Sequence, residues 1–328
     1  MYDVFGLGNA IVDTEVKIDD SFLRDNGITK GHMTLVDSQR MQELNHKLET
    51  LEFIRSSGGS AANTIYAVQA FGHQTAYSCK VANDEVGQFF LKDMDAAGVH
   101  LNASAQTPDG HSGQCLVLIS PDAERTMNTD LGVSSALSTD DVDFEKLRAA
   151  RYFYVEGYLS SSQASCEATI ACRDLAREAG VRTAISLSDP SMVEFFKDAL
   201  TDMLGNGFDV VFCNEEEALS WAGTDRLDIA IAELKDIGPE LYITLGAEGS
   251  LAIDGNGKHA AAGYAAKAVD TTGAGDIYAG AVLAARCGGA DPADAARFAN
   301  FAASSLVSQY GARFDSMQYY QKLRQRFH

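Results

Sequence analysis

Short apolar runs alternate with longer amphipathic stretches along most of the chain from about residue 140 onward. The short runs cover residues 151–155, 184–187, 210–213, 241–244 and 251–253. Each has the length of a buried strand, and the stretches between them have the length and spacing of helices. This alternation predicts a mainly parallel sheet with helices on both faces, whose ligands bind at the carboxyl ends of the strands.

Two regions near the start of the chain interrupt this rhythm. Residues 11–18 alternate apolar and polar side chains, as in a strand with one wet face, and a short extended piece follows at 31–36. Residues 114–120 and 125–129, joined by a turn at 121–124, predict an isolated hairpin. We therefore expect residues 13–37 and 113–131 to form a small β lid over the site. Residues 1–12, 38–112 and 132–328 then form the α/β core.

Composition narrows the class of protein. The 328 residues are 46% hydrophobic and 22% charged, and 46 acidic against 26 basic residues give a formal charge of -20. This charge argues against nucleic acid or an anionic membrane as a partner, and a phosphate site would need local attraction. The start has no signal-peptide pattern, no apolar run approaches the roughly 20 residues of a membrane span, and the six cysteines are scattered. We expect a cytoplasmic protein with a small-molecule substrate, as a monomer or homodimer.

A glycine-bearing turn at residues 269–280 leads from an extended segment into an Ala-rich helix. Gly273 and Gly275 permit backbone geometries in which their N–H groups and that of Ala274 converge before the helix, a favourable place for phosphate. Asp276 follows in the first helical turn. It either complements the helix dipole or accepts a proton during phosphoryl transfer, and the turn alone does not decide between them.

Two further motifs carry polar groups suited to this chemistry. Residues 58–63 form a second glycine-led helix entry that ends in Asn63. Asn214 and Glu217 follow a strand at a spacing that shares one helical face, where they could hold the waters around Mg²⁺. The common alternatives fail: a dinucleotide fingerprint at residues 6–11 has Ile11 in place of its third glycine, and no Lys is followed by Ser or Thr.

Taken together, these motifs resemble the PfkB (ribokinase-like) family of sugar and nucleoside kinases, nearest its adenosine-kinase branch. The resemblance to the family rests on residues 58–63, 214–217, 244–249 and 270–276, in the family's order, and the resemblance to the branch rests on residues 8–13 and 124–126. It implies a ribokinase-like three-layer αβα sandwich with a mainly parallel sheet and a small β lid. It also implies ATP-dependent phosphoryl transfer to an alcohol, with ATP and Mg²⁺ and, in some relatives, K⁺.

The resemblance assigns roles around the phosphates. Asp276 would be the catalytic base, and Gly273, Ala274 and Gly275 would form the anion hole, with Arg125 over the transferring phosphoryl group.

The resemblance also assigns metal and ligand sites. The expected metal residues are Asn214 and Glu217 for water-bound Mg²⁺, and Asp270 and Thr272 for a monovalent cation. The expected ATP-binding residues are Asn214, Glu217, Thr244, Gly246, Gly249 and Asn300. The expected acceptor-binding residues are Asp13, Gly58, Gly59 and Asn63 around the sugar, and Met127 and Thr129 near a nucleobase.

The identity of the acceptor stays open at this point. The lid segments carry few basic residues, which favours a neutral nucleoside or free sugar over a phosphorylated substrate. Adenosine competes with inosine, guanosine and a ribose- or fructose-type sugar. A non-catalytic nucleotide-binding relative is disfavoured because Asp276 is present with its whole glycine turn.

Overall fold

The structure is a computed structural model that describes residues 1–102, 106–107, 109–122 and 124–327. Ala123, in the turn of the predicted hairpin, lies outside the described residues, as do 103–105, 108 and 328. The strands are β1 (Tyr2–Leu7), β2 (Ile11–Lys17), β3 (Met33–Leu35), β4 (Phe53–Gly58), β5 (Thr75–Ser78), β6 (Val81–Ala82), β7 (His100–Leu101), β8 (Gln106–Thr107), β9 (Gly113–Ile119), β10 (Arg125–Asp130), β11 (Ala150–Glu156), β12 (Arg182–Ser186), β13 (Val210–Asn214), β14 (Glu240–Thr244), β15 (Gly249–Asp254) and β16 (Gly257–Ala262).

Helices connect most of these strands. They are α1 (Asp20–Asp25), α2 (Ser38–Leu48), α3 (Ser60–Ala70), α4 (Glu85–Ala96), α5 (Phe144–Arg148), α6 (Gln163–Glu178), α7 (Pro190–Phe195), α8 (Lys197–Leu204), α9 (Glu215–Ala222), α10 (Leu227–Ile237), α11 (Ala274–Cys287), α12 (Pro292–Leu306) and α13 (Met317–Phe327). Short 3-10 turns lie at Gly132–Ala136, Thr139–Asp141, Gly157–Ser161 and Gly246–Glu248. No described helix has both the length and the apolar character needed to span a bilayer.

The large sheet has nine strands in the order β16-β15-β14-β13-β12-β11-β1-β5-β7. The strands from β14 to β7 run parallel, and β15 and β16 are added antiparallel at one edge. Each strand sends alternate side chains to opposite faces, so that Val4 joins one buried cluster and Phe5 joins the other. Helices cover both faces, which confirms the predicted three-layer α/β sandwich.

The smaller sheet has five strands in the order β3-β10-β9-β2-β4. Its β9–β10 hairpin matches the predicted one, and Ile11 of β2 pairs with Gly113 of β9 in parallel. One strand of this sheet, β4, was not predicted, because Phe53–Gly58 shows little apolar alternation. It pairs antiparallel with β2. The helix α2 packs Met41 and Leu44 against this smaller sheet rather than the large one, although the sequence analysis grouped residues 38–58 with the core.

The division into core and lid remains a proposal. We draw the lid as β2, β3, β4, β9 and β10 with α1 and α2, because these elements share one hydrophobic cluster or one hydrogen-bonded sheet. Asp37 caps the start of α2, where its side chain accepts the N–H of Arg40 at 2.8 Å.

Candidate active site

A cleft of about 590 Å³ lies where the five-stranded sheet faces the carboxyl ends of the large sheet. Motifs distant in sequence line the cleft: Asp13, Gly59, Asn63, Met127, Thr129, Asn214, Glu217, Thr244, Thr272, Gly273, Gly275 and Asp276. The structure therefore brings together most of the residues that the sequence singled out. Gly58, Arg125, Gly246, Gly249, Asp270, Ala274 and Asn300 lie outside this lining.

Asp276 lines the cleft from the first turn of α11. Ser60 Oγ donates a hydrogen bond to Asp276 Oδ1 at 2.7 Å, and Asn63 Nδ2 donates to Asp276 Oδ2 at 2.9 Å. Burial raises the pKa of Asp276 to about 6, against the lowering effect of these two hydrogen bonds and of the Arg313 charge. The carboxylate is thus ionised near neutral pH yet basic enough to accept a proton.

Close packing of α3 on α11 sets this arrangement. A Cβ on Gly280 would come within 2.7 Å of Ala67 Cβ and 2.9 Å of Thr64 O, so only glycine lets the two helices approach this closely. Thr64 Oγ1 also donates to the carbonyl of Asp276 at 3.2 Å. The start of α3 is thereby held against the start of α11.

The glycine turn before α11 is sharply bent. Gly273 has φ +74°, and a Cβ there would lie 2.7 Å from the Cα and the carbonyl oxygen of Ala312. The N–H of Ala274 donates to Thr271 O at 3.1 Å, so in this conformation it closes the turn. Gly275 has open space beside it and lines the cleft, where the positive end of α11 favours an anion.

Glu156 is a cleft carboxylate that the sequence analysis missed. It ends β11 and is buried, and it accepts the N–H groups of Asn9 at 2.8 Å and Ala61 at 2.6 Å. Burial raises its pKa to about 7. A charged residue directly after the apolar run 152–155 was the available signal.

Asp13 sits beside Gly58 on the lid side of the cleft. A Cβ on Gly58 would come within 2.3 Å of Asp13 Oδ2, so glycine leaves room for the carboxylate. Burial raises the pKa of Asp13 to about 7, although Arg313 and Arg125 act to lower it. Gly59 is required for a different reason: its φ is +95° and a Cβ would meet the carbonyl oxygen of Asn9 at 2.5 Å.

Arg125, whose place over the transferring phosphoryl group stays a prediction, contacts two carboxylates in this structure. Its guanidinium makes ion pairs with Glu15 at 2.8 Å and with Asp270 at 3.0 Å, and the side chain is 8% exposed. Asp270 also accepts the N–H groups of Thr272 at 3.0 Å and Gly311 at 2.7 Å. Asp270 is thus held by a guanidinium that it shares with Glu15 and by two backbone N–H groups, and a monovalent cation at Asp270 and Thr272 stays a prediction.

Asn214 and Glu217 form a reciprocal cap at the start of α9. Asn214 Oδ1 accepts the N–H of Glu217 at 2.7 Å, and Glu217 Oε2 accepts the N–H of Asn214 at 3.1 Å. Burial and the negative charges of Asp189 and Glu216 raise the pKa of Glu217 to about 7. The side chains whose charges act on Glu217 are acidic, and oxygen donors that line the cleft beside them fit a water-coordinated divalent cation.

The predicted ATP loop is divided between the cleft and the protein interior. Thr244 ends β14 and lines the cleft, whereas Gly249 lies in a crowded turn where a Cβ would be 2.2 Å from Ala261 O. Asn300 is buried in α12, and its Nδ2 donates to the carbonyls of Ala261 at 2.8 Å and Ala262 at 3.3 Å. In this conformation Asn300 therefore holds the end of β16.

The lid contributes an apolar wall to the cleft. Its members are Ile11, Met33, Leu35, Cys115, Met127 and Leu131. Leu35 is 47% exposed, and Thr129 adds a hydroxyl that donates to Cys115 Sγ at 3.3 Å. The wall faces a floor of polar groups that includes Asn9 and Asp276, and Asp13 adds a carboxylate on the lid side. A ligand with one apolar, flat end and one hydroxyl-bearing end would match both surfaces.

Comparison with known proteins agrees with this geometry. The model of the pfkB family carbohydrate kinases matches residues 28–318. The structure of adenosine kinase from Sinorhizobium meliloti superposes with a TM-score of 0.91 at 32% identity, covering 99% of each chain. A probable sugar kinase protein from Rhizobium etli CFN 42 gives a TM-score of 0.90 at 31% identity, covering 99% of this chain and 98% of that one.

Curated relatives extend the same picture. Adenosine kinase of Saccharomyces cerevisiae is 26% identical over 334 residues, covering 94% of this chain and 96% of the relative. A ribokinase of Staphylococcus aureus is 26% identical over 265 residues, covering 78% and 83% of the two chains. The fold and these matches define an ATP-dependent kinase that acts on a hydroxyl group. The chain belongs to the pfkB family of carbohydrate kinases.

Proposed function

We propose that this protein transfers the terminal phosphoryl group of ATP to a primary hydroxyl of a nucleoside, with an adenosine-like base, and that Asp276 is the general base. The observation that carries the proposal is the position of Asp276. Its carboxylate is held by Ser60 and Asn63, and Asp276 lines the same cleft as the lid residues Met127 and Thr129.

The proposed chemistry needs a base that is ionised before the reaction and accepts a proton as the new O–P bond forms. A carboxylate with a pKa of about 6 meets this condition at neutral pH, and general base catalysis is typically worth about 10² to 10⁴ in rate. The open start of α11 at Gly275 would hold the developing negative charge of the phosphoryl group. When bound, Mg²⁺ neutralises phosphate charge, and Asn214 and Glu217 would hold it through water.

The acceptor is argued from the two sides of the cleft. Asp13, whose carboxylate fits beside Gly58 on the lid side of the cleft, suits ribose hydroxyls. Met127, Leu35 and the rest of the apolar wall suit a flat nucleobase, which a free sugar would leave uncovered. The relatives described as adenosine kinases support this choice, and the ribokinase and sugar kinase relatives support the free-sugar alternative.

A turnover assay with purified protein, ATP and Mg²⁺ tests the acceptor. We expect ADP release with adenosine, less with inosine and guanosine, and little with ribose or fructose. The compound 5′-deoxyadenosine lacks the accepting hydroxyl and should inhibit competitively without turnover. Turnover with free sugars alone would overturn the nucleoside assignment.

The variant Asp276→Asn tests the base. It keeps the size of the side chain, so we expect it to fold and bind ATP while phosphorylation falls by about 10² or more. Isothermal titration with a non-hydrolysable ATP analogue provides the binding control. Retention of more than a tenth of the wild-type turnover would remove Asp276 from this role. Absence of turnover with every acceptor, despite ATP binding, would instead favour a non-catalytic relative.

A further inference from the structure

A chain of polar contacts extends from Asp276 away from the cleft to a C-terminal arginine. Asn63 Nδ2 donates to Asp276 Oδ2 at 2.9 Å, and Arg313 Nε donates to Asn63 Oδ1 at 2.8 Å. Arg313 Nη1 then pairs with Asp93 at 3.1 Å, and its guanidinium carbon lies 4.4 Å from the ring centroid of Tyr66. The Arg313 side chain is 11% exposed, so its position is well enclosed.

This chain fixes the direction of one amide. An asparagine side chain has an oxygen that accepts and an NH₂ group that donates, and rotation by half a turn exchanges them. Arginine offers only donors, so Arg313 holds the Asn63 oxygen on its own side. The NH₂ group therefore faces Asp276, and one of its two N–H bonds remains for a substrate hydroxyl. The opposite orientation would place an amide oxygen against the carboxylate.

The charges around Asp276 make the guanidinium important. The groups that interact electrostatically with it from neighbouring elements are Arg313, Asp13, Glu156, Tyr154 and Tyr158. Ionised Asp13 and Glu156 repel the negative charge of Asp276, whereas the positive charge of Arg313 stabilises it. Arg313 lowers the pKa of Asp276 and also that of Asp13.

We propose that Arg313 is a positioning residue for the phosphoryl transfer reaction, which orients the Asn63 amide and stabilises the negative charge of Asp276. This inference rests on the proposed function, because it assumes that Asp276 is the base. Arg313 itself does not line the cleft and acts through Asn63.

The test compares the pH dependence of kcat/KM for wild type, Arg313→Gln and Asp93→Asn. Loss of the guanidinium should lower kcat about tenfold and move the acidic limb of the profile to higher pH. Asp93→Asn removes the negative partner of Arg313 and leaves the guanidinium more effective, so its limb should move to lower pH. A merely structural role would not produce shifts of opposite sign.

Two controls separate the possible causes. Arg324→Gln removes another arginine near α3, whose Nη1 donates to Phe71 O at 2.7 Å just after the end of that helix. The acidic limb of the Arg324→Gln profile should stay at the wild-type pH. Because Arg313 also affects Asp13, the Arg313→Gln profile is repeated in an Asp13→Asn background, where the shift should persist. Loss of the shift there would assign it to Asp13 and overturn the proposal.

The result with Asp276→Asn distinguishes the two levels of the argument. If that variant stays active, both the base assignment and this inference are wrong. If it is inactive while Arg313→Gln shows a wild-type limb and a wild-type kcat, only the positioning role is wrong.

Discussion

The ion pair between Arg125 and Asp270 joins the lid to the glycine turn of the core, and its removal should loosen this junction. Arg125 belongs to β10 of the smaller sheet, and Asp270 lies three residues before Gly273. Their side chains are 8% and 3% exposed. The variant Arg125→Met keeps much of the aliphatic volume and leaves both Asp270 and Glu15 without the guanidinium.

The expected loss follows from this burial. Removing one partner of a buried ion pair typically costs about 3–5 kcal/mol, because a buried charge is left uncompensated. Asp270 retains the N–H groups of Thr272 and Gly311, so we expect the low end, about 3 kcal/mol. At about 2 cal/mol/K of unfolding entropy per residue, a chain of 328 residues should melt about 4 °C lower.

Differential scanning calorimetry of matched variants measures this cost. Arg55→Met is the control, because Arg55 of β4 pairs at 2.8 Å with Glu85 of α4 across the surface, with exposures of 32% and 85%. That surface pair should be worth at most about 1 kcal/mol. A double-mutant cycle of Arg125→Met with Asp270→Ala should show a coupling of about 1–3 kcal/mol.

Two outcomes would refute the reasoning about this junction. The first is an Arg125→Met variant that melts no lower than Arg55→Met. The second is a cycle in which the two single losses simply add, which would mean that Arg125 and Asp270 stabilise the protein independently.

Two further predictions concern the site. Activity should fall as pH drops through about 6, where Asp276 becomes protonated. The raised pKa also lowers the free energy of unfolding; this loss is complete above pH 6 or so and disappears below pH 3.8, the ordinary pKa of an Asp. The melting temperature of Asp276→Asn, measured relative to that of wild type, should therefore be higher at pH 8 than at pH 4. The same difference at both pH values would contradict this. Gly273 has φ +74°, and a Cβ there would lie 2.7 Å from backbone atoms, so Gly273→Ala should lower the free energy of unfolding by about 2–4 kcal/mol. Gly223 is also left-handed but has open space beside it, so Gly223→Ala should lose about 1 kcal/mol; denaturant unfolding measures both.

The sequence predicted the large sheet better than the small one for a physical reason. Buried parallel strands such as β11 and β13 are continuous apolar runs that need no partner to be recognised. The strand β4 has the sequence Phe-Ile-Arg-Ser-Ser-Gly, in which Phe53 is 51% and Ile54 is 69% exposed. It lies at the edge of the smaller sheet, next to β2. Only the tertiary pairing identifies it.

The site shows the same limit. Local motifs singled out Asp276, Gly273 and the Asn214–Glu217 pair, because glycine turns and caps are encoded within a few residues. The family resemblance predicted that they share one site, and they line one cleft. The contacts of Arg125 and Arg313 were not predictable, since Asp270 and Asn63 lie far from them in sequence. Such pairings depend on how whole elements pack, and their roles stay proposals until the variants are measured.

The parallel pairing of β2 with β9 has a consequence for how the chain is made on the ribosome. Ile11 of β2 pairs with Gly113 of β9, so about a hundred further residues must be translated after Ile11 before this pairing can begin. At about 5–20 residues per second, the apolar face that carries Val16 stays without its later neighbours Leu116 and Leu118 for many seconds. Nascent chains shorter than about 120 residues should therefore engage holdase chaperones, and their release should coincide with the emergence of β9.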